Sequence, residues 1–167
     1  MPLSIYLFFL IELVVVSYID FKKGKISNNW SYLHLAFAVL FLFIFPSSYE
    51  LGLELIKFPL LFFFGGFVMF ALGIMGGGDA KYLATLFLCV PISLHDQAFE
   101  YLLYATVLVG GTLFVINLLK NFQSFILFLR MKDRNFIKGV FGKRFSYAPV
   151  ILLGWLILGW NLFKDIV

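Results

Sequence analysis

Six apolar blocks, set apart by short polar breaks, account for most of this 167-residue chain. The first runs from about Leu3 to Ile19. The second runs from about Trp30 to Phe45 and stops at Pro46-Ser47-Ser48. The third runs from about Leu55 to Met75, into a glycine run. The fourth covers about Ala80 to Ile92, the fifth about Ala98 to Leu119, and the sixth about Tyr147 to Phe163. A helix needs about 20 apolar residues to cross the hydrocarbon core of a bilayer, so the fourth block is short for a span. The blocks are too long for β-barrel strands and show no alternation of polar and apolar positions. The pattern predicts an all-α, polytopic membrane protein with about six transmembrane helices, built as one membrane-embedded domain over residues 1–167.

Composition points the same way. Hydrophobic residues make up 62% of the chain and charged residues only 13%, against about a quarter charged in a soluble domain. The chain cannot cover a water-facing surface. The single cysteine, Cys89, lies inside an apolar block and reads as a small buried residue. Met1-Pro2-Leu3-Ser4 lacks the basic start of a cleaved signal peptide, so the first block is expected to remain as a helix.

The net charge of +4 reflects loops beside apolar spans, which speaks for topology and against nucleic acid. Lys22, Lys23, Lys25, Lys81, Lys120, Arg130, Lys132, Arg134, Lys138, Lys143 and Arg144 fall on one side if all six helices span. Only Lys57 and Lys164 fall on the other. Positive charge collects in the cytoplasm, so both termini are predicted to be extracytoplasmic, in the inner (plasma) membrane. The polar connection Asn121–Arg144 reads either as an interfacial helix over anionic head groups or as an extension of the fifth helix.

Two acids stand out. Asp79 follows Gly76-Gly77-Gly78 and precedes Ala80-Lys81, directly after the third block. An ionisable group at membrane depth is costly and marks a functional site. Three glycines interrupt a helix, permit a left-handed or irregular turn and let backbones approach closely. Gly73 and Gly77 also form a small-xxx-small spacing. The plainer reading of Asp79 is a helix cap, with Lys81 neutralising it. Asp20 closes the first block in the same manner; its plainer reading is an interfacial acid paired with Lys23. Taken together, the acids suggest paired-carboxylate chemistry. Two carboxyl groups in a low-dielectric site share one proton. The ionised member can take a proton from water while the other polarises a carbonyl, which hydrolyses a peptide without metal or cofactor.

Other polar residues offer less. His34 and His95 lack partners at metal-ligand spacing, so no metal site is expected; His34 falls near the start of the second helix and His95 in an outer loop beside Asp96. Ser17, Ser27, Ser31 and Ser146 lack the Gly-x-Ser-x-Gly setting of a nucleophile. Glu12, in mid-span, is expected to hydrogen-bond inside the bundle, with the outer leaflet as the alternative.

The elements Gly76-Gly77-Gly78-Asp79 with Ala80-Lys81, Asp20 followed by basic residues and Ile26-Ser27-Asn28, and Ser146-Tyr147-Ala148-Pro149 resemble the type IV prepilin peptidase family. Ser27 stands where the family has proline. The resemblance implies a membrane aspartyl protease of the Gly-x-Gly-Asp type, with Asp20 and Asp79 catalytic. Gly76, Gly77 and Gly78 would then shape the turn and admit substrate, with Lys81, Asn28 and Pro149 as possible supporting residues. It implies a prepilin or pseudopilin precursor as substrate, membrane lipids as surroundings, and no cofactor. The cysteine-rich insert of the bifunctional members is missing, so the chain resembles the short, peptidase-only form. The competing readings are a transport or assembly subunit with structural aspartates.

Overall fold

The structure, a computed structural model, describes residues 1–71, 75–120, 122 and 146–164. Six α-helices occupy them: α1 (Leu3–Lys23), α2 (Asn28–Ile44), α3 (Leu53–Ala71), α4 (Gly77–Leu88), α5 (His95–Lys120) and α6 (Ala148–Phe163). A 3-10 turn, Ile92–Leu94, leads into α5. No strand occurs among the described residues. Among the described residues, three stretches are long and apolar enough to cross a membrane: Leu3–Lys23, Leu53–Ala71 and Ile92–Lys120. Asn28–Ile44 and Ala148–Phe163 are shorter apolar helices.

Local chemistry sets the helix ends. α1 stops at Gly24, whose φ of 65° is left-handed, with its N–H bonded to Asp20 O at 2.7 Å. Glycine takes that conformation without steric cost. Ser27 then caps α2, accepting from Asn29 N at 3.4 Å. α2 ends ahead of Pro46, which cannot continue a helix.

α4 differs from its sequence block. It begins at Gly77, before Asp79, and ends at Leu88, short of Pro91. Its 12 residues extend about 18 Å at 1.5 Å per residue, well under the roughly 30 Å of a hydrocarbon core. α4 is nonetheless the inner element of the bundle. Asp79, Ala80, Tyr82, Leu83, Ala84, Leu86 and Phe87 are all buried, and both α3 and α2 pack on it. On the other side α6 packs against α5 and α1.

Small residues bring helices close, as expected where helix association relies on packing. Gly66 of α3 faces the Cβ of Ala80, and Gly154 of α6 sits 3.1 Å (from its would-be Cβ) from the Leu102 backbone of α5. Tyr6 stacks on Trp155 at 5.6 Å and donates to its carbonyl, joining α1 to α6. The outer faces are apolar: Phe63, Phe64, Phe67, Val107 and Leu108 are exposed. That surface suits lipid. Most of the Asn121–Arg144 connection, and Gly73 with its small-xxx-small spacing, lie outside the described residues.

Candidate active site

Both aspartates are buried at helix ends. Asp20 lies in the last turn of α1 and is 2% exposed. Its carboxylate reaches across the bundle to the start of α6. Oδ2 accepts a short hydrogen bond from Ser146 Oγ and a second, at 3.4 Å, from Ala148 N. The N-terminus of a helix presents unpaired N–H groups, so it is a natural seat for a carboxylate. Pro149, half-buried in the first turn of α6, presets that helix start.

Asp79 is 4% exposed and stands in the first turn of α4. Its Oδ2 accepts from Gly76 N at 3.2 Å, while its own N–H bonds Gly76 O at 3.1 Å. Asp79 therefore helps to cap α4 from its third position, while the N-cap itself, expected to be Asp79, is Gly76. Lys81 points outward and is exposed, as is Asn28 at the start of α2.

The glycine run works by close approach; of the left-handed or irregular turn expected there, the left-handed form is absent. Gly76 is extended (φ −75°, ψ 142°), while Gly77 and Gly78 already belong to α4. Among the described glycines only Gly24 has positive φ. Gly78 is the position where only glycine fits: a Cβ there would come 2.7 Å from Ile26 O. A Cβ on Gly76 would meet Asp79 Oδ2 at 2.9 Å, whereas one on Gly77 would make ordinary contact with Phe70 at 3.5 Å. The turn that follows Asp20 thus rests on the backbone beside Asp79.

A second polar cluster lies deeper. Glu12 of α1, His34 of α2 and Tyr82 of α4 are all buried. His34 Nε2 is 2.8 Å from Glu12 Oε1, and the Tyr82 hydroxyl donates to the same oxygen at 3.3 Å. His34 Nδ1 lies 3.2 Å from Thr85 Oγ1. Glu12 is thus hydrogen-bonded inside the bundle, as its mid-span position suggested. His95 departs from its expected loop: it opens α5, is buried, and its Nε2 meets the carbonyls of Phe87 and Val90 at 3.0 Å each. Cys89 is buried and free. Among the described residues, no group of His, Cys, Asp and Glu is arranged to hold a metal.

Sequence reasoning missed Ser146 as the partner of Asp20, because the two are 126 positions apart. The available signal was its place immediately before an aromatic-Ala-Pro helix start.

The fold and these residues define an apolar helical bundle with acidic groups sealed at its helix ends. The model of the type IV leader peptidase family matches residues 7–116, about two thirds of the chain. The chain belongs to that family, whose members are membrane-embedded proteases. The matched stretch includes Asp20 and Asp79; Ser146 and α6 lie beyond it. No curated protein and no solved structure matches the chain.

Proposed function

We propose that this protein is an aspartic endopeptidase that removes the leader of prepilin-like precursors, with Asp20 and Asp79 as the water-activating pair. The observation that carries this reading is the seating of Gly78 on Ile26 O. It joins the turn six residues after Asp20 to the residue before Asp79. Family membership supplies the reaction class.

In this reading one carboxylate takes a proton from water as the water oxygen attacks the scissile carbonyl carbon. The other, protonated, donates to the carbonyl oxygen. The tetrahedral diol then collapses, the C–N bond breaks, and the departing amine takes a proton from the pair. Ser146 and Ala148 engage Oδ2 of Asp20, so Oδ1 is assigned to water. Gly76 leaves room for the Asp79 carboxylate and Gly78 for the Ile26 backbone, which sets the turn beside Asp79. The chemistry needs water and two carboxyl groups alone.

The basic loops would face the cytoplasm and both termini the opposite side, in a plasma membrane. This puts the pair at the cytoplasmic boundary, the side from which water and a prepilin leader would enter. Pilin and pseudopilin precursors are both candidate substrates, and lipid would surround the apolar exterior. Lys22, Lys23 and Lys25 are assigned to topology and anionic lipid, because prepilin leaders are themselves basic.

Coexpression with a prepilin tests the reading. The expected result is a product shortened at one bond, with a single new N-terminus by sequencing. Full-length prepilin throughout, or a ladder of cuts, contradicts it.

A further inference from the structure

Tyr82 links the two helices that carry the aspartates, and we propose that Tyr82, Glu12 and His34 are positioning residues for that pair. The inference rests on the aspartyl reading above. α1 packs chiefly on α6, and α4 on α2 and α3. Between α1 and α4 the Tyr82 hydroxyl makes a direct polar link, donating to Glu12 Oε1 at 3.3 Å. His34 ties α2 into the same junction, at 2.8 Å from Glu12 and 3.2 Å from Thr85.

The register places this junction beneath the proposed site. Glu12 and Asp20 both lie on the buried side of α1, and Tyr82 and Asp79 both on that of α4. Eight residues separate the first pair and three the second, about 12 Å and about 4.5 Å along the helix axes. A shift of Glu12 relative to Tyr82 therefore moves Asp20 relative to Asp79.

The hydrogens can be assigned. Thr85 Oγ1 has one hydrogen, for which the carbonyls of Lys81 and Tyr82 compete at 3.0 Å; with it placed on either, Oγ1 accepts from Nδ1–H of His34. Tyr82 spends its hydrogen on Glu12. One proton then lies between His34 Nε2 and Glu12. Around the junction, Phe9, Leu13, Val16 and Leu86 offer non-directional contacts. Those resist separation of the helices; directional hydrogen bonds select one register among sliding alternatives.

The test uses the full chain in lipid nanodiscs, with two readouts: steady-state cleavage of a prepilin, and the distance between spin labels at Lys23→Cys and Lys81→Cys. Both labelling positions are exposed, and native Cys89 is sealed. Tyr82→Phe and Glu12→Ala should lower kcat by about tenfold to a hundredfold with KM nearly unchanged, the scale of a 1 Å misplacement. Both should broaden the distance distribution. Glu12→Gln, with its carbonyl oxygen in the place of Oε1, can accept from both Tyr82 and the Nε2–H tautomer of His34 while the Thr85 hydroxyl turns to Nδ1, so it should restore both readouts. Wild-type kcat and distances in Tyr82→Phe overturn the proposal. So does Glu12→Gln behaving like Glu12→Ala, which would assign Glu12 to proton transfer. Asp20→Asn should lower kcat by about a hundredfold or more without moving the labels. If it instead cleaves normally, the aspartyl reading fails, and the label distances still report on the junction.

Discussion

Gly78 turns its missing side chain toward the carbonyl oxygen of Ile26, and a methyl built there would stand 2.7 Å from that oxygen. Both partners are backbone, so neither can swing aside. Gly78→Ala must push the start of α4 away from the α1–α2 turn. It should cost about 1–3 kcal/mol of stability, the scale of overpacking a tight contact, and lower cleavage by at least about tenfold. Gly77→Ala is the control. Its Cβ would meet Phe70 at an ordinary 3.5 Å, and alanine favours a helix over glycine by about 1 kcal/mol. It should match or exceed wild-type thermal stability in detergent and keep its activity. Equal loss in both variants would show that the Ile26 contact is not the constraint.

Ser146→Ala removes one of the two donors on Asp20 Oδ2 and leaves Ala148 N in place. Loss of one hydrogen bond of about 1–2 kcal/mol should lower kcat by about tenfold, with the fold retained. Ser146→Thr keeps the hydroxyl and should recover most of the rate. Rate measurements on the three purified proteins check this.

Gly66 and Ala80 form a steric pair between α3 and α4. Gly66→Ala alone would drive two methyl groups together and should destabilise the bundle by about 1–3 kcal/mol. Adding Ala80→Gly exchanges the two residues and should recover more than half of that loss. The interaction energy of the double-mutant cycle, read from melting in detergent, reports the contact.

Charge asymmetry sets the expected orientation. A cysteine at Lys138 should react with a membrane-permeant maleimide and resist an impermeant one added outside intact cells. Buried Cys89 should contribute little background. Labelling from outside would reverse the topology and place the aspartates on the wrong face for a cytoplasmic leader.

The helical architecture was legible because long apolar blocks without alternation admit one secondary structure. The limits of α4 were not: the glycines looked like a break, yet Gly77 and Gly78 form its first turn, where Asp79 can bond back to Gly76 N. Asp20 and Asp79 could be singled out because acids beside apolar blocks are costly and few. Their partners could not. Ser146 meets Asp20 only through folding, and the Glu12–His34–Tyr82 junction draws one residue from each of three helices. Glu12 stood out as a mid-span acid, but nothing local named its partners, and Ser146, His34 and Tyr82 taken alone are unremarkable polar residues near membrane helices. The contact that makes Gly78 irreplaceable is likewise with a backbone atom distant in sequence, invisible to any local pattern.

The most direct test is the cleavage rate of purified, folded Asp20→Asn and Asp79→Asn proteins on one prepilin in lipid. Asparagine keeps the size of each side chain and removes its acid–base chemistry. Each single variant should lose about a hundredfold to ten-thousandfold in kcat, the reach of general acid–base catalysis, with melting close to wild type. Near-wild-type cleavage by either variant would contradict the assignment of this pair to the chemistry.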